Sequence, residues 1–151
     1  MNGKKLVILS IVGLLLVAGL GVAWYMKKQN TVGPRFMQLP VRGIEMSEAK
    51  EWSKGIETLL QNDEVLKLVV EKGDYAEAMG FSEEQAIAKL KEVVRVQLDE
   101  RRNAILIGLS GKMKDSELLD KTAGLLLRMS VNVYATRDSA FREYMEKLNQ
   151  R

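Results

Sequence analysis

The sequence predicts an α+β fold: an N-terminal transmembrane helix followed by a small domain with a few strands packed by helices. Three observations predict it. Residues 6–26 run for 21 positions without a charge. Between residues 47 and 92, apolar residues return every three or four positions, the period of a helix. Val94, Val96 and Leu98, then Ile105, Ile107 and Leu109, return every second position, the period of a strand.

The apolar run would make a helix about 31 Å long, enough for a bilayer core of about 30 Å. Lys4 and Lys5 flank one end and Lys27 and Lys28 the other. Trp24 and Tyr25 fall where an aromatic belt meets lipid headgroups. A competing reading is a cleaved signal peptide, with Gly21 and Ala23 as the small-x-small site. The length of the run and the lysines after it favour a retained anchor over 1–28. Gly19 and Ala23 add a small-xxx-small contact between spans. Basic residues at the two ends nearly cancel, so charge alone does not orient the span.

Charge is unevenly spread. The first 44 residues hold six basic residues (Lys4, Lys5, Lys27, Lys28, Arg35 and Arg42) and no acid. Of the 23 basic residues in the chain, 17 remain beyond them, against all 20 acids. The domain is therefore mildly acidic, which argues against nucleic acid as a partner. The basic flanks instead suit membrane lipid. With no cysteine and no histidine, disulfides, thiol nucleophiles, serine–histidine triads and imidazole metal sites are excluded. The carboxylates are scattered at surface spacing without an acid pair in an apolar setting. No catalytic residue, metal or cofactor is expected.

Residues 29–46 read as a linker with an edge strand over about 36–44, because Pro34 and Pro40 cannot donate to a ladder. Ser47 is the expected N-cap of a helix over about 47–61, with Trp52, Ile56, Leu59 and Leu60 on one face. Asn62 or Asp63 restarts the chain for a helix over about 63–72. Tyr75 to Gly80 is a short turn at most. Ser82 and Gln85 form a capping box for a helix over about 82–92. Strands over about 93–99 and 103–110 follow, broken by the polar Glu100-Arg101-Arg102-Asn103. Gly111 to Lys114 turns the chain. Asp115 or Ser116 caps one long last helix over about 115–149. Leu119, Thr122, Leu126, Met129, Val133 and Ala140 give it a heptad-like stripe. The stripe weakens after Tyr134, so the back half reads as a projecting helix, a solvated end or a partner surface.

Taken in order, these pieces resemble a known family. The run from Tyr75 to Leu90 (Tyr-Ala-Glu-Ala-Met-Gly-Phe-Ser-Glu-Glu-Gln-Ala-Ile-Ala-Lys-Leu), then Val93 to Leu98, Asn103 to Leu109 and Asp115-Ser-Glu-Leu118, is similar to the Wzz-type polysaccharide chain-length determinant domain. The resemblance covers about residues 47–134, and the domain is taken as 47–151. Ser116 stands where the family usually has proline, Leu119 and Asp120 replace small residues, and Gly124 stands where asparagine is common. The family also continues to a second transmembrane helix, so a one-span form is expected here.

The resemblance implies a membrane-anchored, non-catalytic protein of surface or exopolysaccharide assembly. It would act as a homo-oligomer or by contacting a membrane polymerase or another envelope protein. It would sit in the bacterial inner membrane as a single-pass protein with an extracytoplasmic domain. A structural subunit of another bacterial membrane complex that reuses the domain is the alternative. Candidate contacts between copies or with a partner are Gly19, Ala23, Glu83, Glu84, Arg101, Arg102, Arg137 and Arg142.

Overall fold

The structure is a computed structural model that describes residues 19–150. Its first described element is a helix over 19–30, here α1. Strand β1 is Val32–Pro40. Four helices follow: α2 (Met46–Leu59), α3 (Asp63–Lys72), α4 (Tyr75–Met79) and α5 (Glu83–Val93). Then come β2 (Val94–Asp99), β3 (Ala104–Lys112), a single 3-10 turn at Met113–Asp115, α6 (Ser116–Arg137) and α7 (Ser139–Asn149).

The expected transmembrane helix is corrected. Among the described residues no helix is long and apolar enough to cross a membrane. The described part of α1 has 12 residues, about 18 Å of helix. It runs on through Lys27, Lys28 and Gln29 to Asn30, past the charges expected to end it. α6 has 22 residues but carries Glu117, Asp120, Lys121 and Arg128 along its length. The part of the expected anchor before Gly19 lies outside the described residues.

The three strands form one antiparallel sheet in the order β1-β3-β2. β1 is a full nine-residue partner of β3, from Val32 opposite Lys112 to Pro40 opposite Ala104. The expected short strand over 36–44 thus starts earlier and ends earlier. Its two prolines are accommodated because β1 lies at the sheet edge. Residues 41–45 turn the chain into α2. That helix starts at Met46, with Glu45 and not Ser47 at its N-cap, and no side chain caps it.

Val94, Val96 and Leu98 pair with Leu109, Ile107 and Ile105 in register. Partners across a ladder share a face, and on this face the sheet meets its helices. Ile105, Ile107 and Leu109 are fully buried there, in one core with Trp52, Ile56, Leu66, Leu90 and Leu126. The other face of β3 is buried too: Leu106 is 6 % and Ala104 3 % exposed. A central strand is shielded by its neighbours, which single-face alternation does not register.

At the α5 start the Ser82 hydroxyl accepts from Gln85 N–H at 3.2 Å, and the Gln85 side chain accepts from Ser82 N–H at 3.0 Å. The β2–β3 turn is held by Asp99, whose Oδ1 accepts from the N–H groups of Arg101 and Arg102 at 3.1 Å each. Asn103 takes the left-handed conformation that closes it, with φ 47°.

The single last helix is also corrected. Asp138 adopts an extended backbone (φ −126°, ψ 113°) and splits the segment into α6 and α7. Its carboxylate accepts from Phe141 N–H at 2.9 Å and so caps α7. α7 does not project. Phe141 is fully buried, its ring 5.0 Å from Trp52 and 4.9 Å from Tyr134, both edge to face. Ala140, the last member of the expected stripe, is exposed on α7.

Candidate functional site

The expected contact residues lie on four separate parts of the surface. Gly19 and Ala23 are exposed on α1, and no described residue lies within 4 Å of where a Gly19 side chain would begin. Glu83 and Glu84 open α5. Glu83 already pairs with Lys67 on α3 at 3.2 Å. That hydrogen bond, with the charges of Glu83 and Glu71, holds the Lys67 ammonium above its ordinary pKa. Arg101 and Arg102 are exposed in the β2–β3 turn, where Arg102 Nε lies 3.5 Å from Asp99. Arg137 ends α6 and Arg142 is on α7, both exposed. Among the described residues no ion pair joins the arginines of the turn to the acids of α5.

α1 is the most apolar exposed surface among the described residues. Leu20, Val22, Trp24, Tyr25 and Met26 are each 58–70 % exposed. At 100° per residue they surround the helix, so no single groove could bury them all. Lys27 and Lys28 follow at once, with Lys28 Nζ 5.4 Å from the Trp24 ring.

Concavities of the folded domain are lined by residues of several elements. One, about 630 Å³, lies between the chain after β1, α2 and α7, against Trp52, Tyr144 and Lys147. Another, about 490 Å³, lies between α4, the end of β3 and the start of α6. Tyr75, Lys89, Lys112, Lys114 and Asp115 bring its polar groups. Of these, Lys89 is bound to Glu92 at 2.8 Å, which holds the Glu92 carboxyl below its ordinary pKa. Burial, and secondarily the charge of Asp115, pushes the Tyr75 hydroxyl up. It is therefore a neutral donor at physiological pH.

Sequence reading missed this second cavity because Tyr75 and the 111–114 turn look like connections. A visible signal was the pair Lys112 and Lys114, set on either side of one residue right after an apolar strand. Among the described residues no group of His, Cys, Asp or Glu is placed to hold a metal ion. Compared with known proteins, the chain matches no family model, no curated protein and no solved structure.

Proposed function

We propose that this protein is a non-catalytic assembly module of the bacterial cell envelope. It works in surface-polysaccharide production by packing against copies of itself or against a polymerase or export partner. The observation that carries this reading is the order of elements. A capped helix leads directly into a strand, a turn at Asn103, a second strand and a long helix from Ser116. That is the order which the resemblance to chain-length determinant domains implies. The complete absence of cysteine and histidine from the chain supports a role by contact over one by nucleophilic or imidazole chemistry.

Lipid is the partner that α1 fits. Its exposed apolar side chains, its aromatic pair and the two lysines after them match an interface between acyl chains and anionic headgroups. Copies gathered on one surface meet at a raised effective concentration, so weak contacts suffice. Arg101 and Arg102 of one copy against Glu84 of the next are such contacts, each worth about 0–1 kcal/mol when exposed.

Sedimentation of the full-length protein in mild detergent tests the reading. A defined oligomer, or a stable complex with an envelope protein, is the expected result. A monomer that recovers no partner sinks it.

A further inference from the structure

The cavity between α4, β3 and α6 has an unusual set of unused groups. Tyr75 is only 3 % exposed, yet its hydroxyl makes no hydrogen bond to any described residue. Among the described residues no fully buried side-chain N or O atom lacks a partner. The hydroxyl must therefore reach open space, and the space that Tyr75 lines is this cavity. Lys112 and Lys114 at the mouth have no carboxylate within ion-pair distance among the described residues. Five other lysines do: Lys50, Lys67, Lys89, Lys91 and Lys121. Asp115 also faces the cavity and offsets one of the positive charges.

The rest of the wall is mostly apolar, with Val32, Met79, Val93 and Leu119 beside Ser110 and the already paired Lys89. Val32 is 64 % exposed and stands opposite Lys112 at the end of the β1–β3 ladder. One residue separates it from α1. The cavity therefore opens beside the helix whose apolar side chains are themselves uncovered.

We propose that this cavity binds a phosphate-class anion carrying an apolar chain, its charge held by Lys112, Lys114 and the Tyr75 hydroxyl and its chain lying on Val32, Met79 and Val93. Ammonium groups on a flexible stem suit a phosphate that approaches from outside. A neutral phenol adds a donor without adding charge. The apolar wall selects against a bare ion, because leaving it empty exposes surface that a chain would cover. Lipid headgroups and free chain-bearing phosphates share this chemistry. The site does not require self-association, so the two readings can fail separately.

The test is calorimetric titration of the full-length protein in mild detergent with three probes: dioctanoyl phosphatidic acid, dioctanoylglycerol and inorganic phosphate. Phosphatidic acid is expected to saturate one site, with the other two probes weaker by about tenfold or more. Changing Lys112 and Lys114 together to Ala is expected to weaken it about tenfold, as loss of charge-assisted hydrogen bonds does. Tyr75→Phe keeps the ring in place and is expected to weaken it severalfold. Lys27 and Lys28 changed together to Ala should leave this titration unchanged, which separates the site from general lipid contact at α1. Vesicles of phosphatidic acid in phosphatidylcholine, set against the soluble probe, then distinguish a headgroup in a lipid surface from a free phosphate. No saturable binding, equal affinity for inorganic phosphate, or affinity unchanged in both site variants would overturn the proposal.

Discussion

The Tyr144 hydroxyl donates to the Pro40 carbonyl at 2.8 Å, across 104 residues of sequence. This bond ties α7 to the end of the edge strand, while the Tyr144 ring lies tilted over Trp52 at 5.4 Å. The last helix is thus a wall of the domain. Tyr144→Phe should cost about 1 kcal/mol, the net value of one such bond. Amide exchange in α7 should accelerate more than in α6. Unchanged exchange would mean that this hydroxyl bond does not hold the helix.

Asp138 sets where α6 stops. Its side chain caps α7 through Phe141 N–H and also accepts from the Tyr134 hydroxyl at 3.3 Å. Asp138→Ala should lower stability by about 0.5–2 kcal/mol, the range for a lost N-cap. Phe141→Ala should cost about 3–5 kcal/mol, because it empties a fully buried aromatic site. Urea unfolding of both variants gives the comparison. A larger loss for the cap than for the ring would mean that the joint, and not the packing, holds α7.

These two contacts also show what the sequence could and could not reveal. The β2–β3 ladder was legible, because a period of two survives wherever one sheet face is buried. The capping box was legible because its chemistry is local. The Asp138 break was not. Arg137-Asp138-Ser139 reads as the polar face of a continuing helix, and only the docking of Phe141 onto Trp52 makes the turn worthwhile. β1 was misplaced because its pairing is to a strand about 70 residues away, opposite Gly108 and Gly111, which no local pattern encodes. A chain starting at Glu45 would lack this strand and leave one edge of β3 unpaired. The site residue Tyr75 was hidden for a similar reason: its cavity is closed by β3 and α6, both distant in sequence.

Gly108 and Gly124 should respond oppositely to the same change. A side-chain carbon on Gly108 would lie 1.8 Å from the Arg35 carbonyl oxygen and 2.8 Å from Phe36 Cα. Both are backbone atoms of the paired strand, so relief requires β1 to move. Gly108→Ala should destabilise by at least about 1–3 kcal/mol. On α6 no described residue lies within 4 Å of where a Gly124 side chain would begin. Gly124→Ala should therefore stabilise by about 0.4–1 kcal/mol, through helix propensity and a less free unfolded chain. Thermal unfolding midpoints read both. Equal small effects would mean that β1 does not approach Gly108 this closely.

Alkaline unfolding should begin with two tyrosines. Burial first, then the charge of Asp115, raises the Tyr75 hydroxyl above its ordinary 10.0. Burial first, then Asp138 and Glu51, raises that of Tyr134. The fold thus favours the protonated phenols. Their contribution is complete below the unfolded value of about 10 and is lost as pH rises through the raised folded values. At Tyr134 the loss has a structural site. Ionisation removes the donor to Asp138 and sets two negative charges against each other at the α6–α7 joint. Unfolding free energies between about pH 8 and 12 should therefore fall less steeply for Tyr75→Phe and Tyr134→Phe than for the unaltered protein. Every other titratable group is common to all three chains and so cancels in the comparison. Near pH 8, Tyr75→Phe should change stability little, since its hydroxyl makes no hydrogen bond to any described residue. If both variants keep the slope of the unaltered protein, the two phenols ionise as freely folded as unfolded, and the joint opens for another reason.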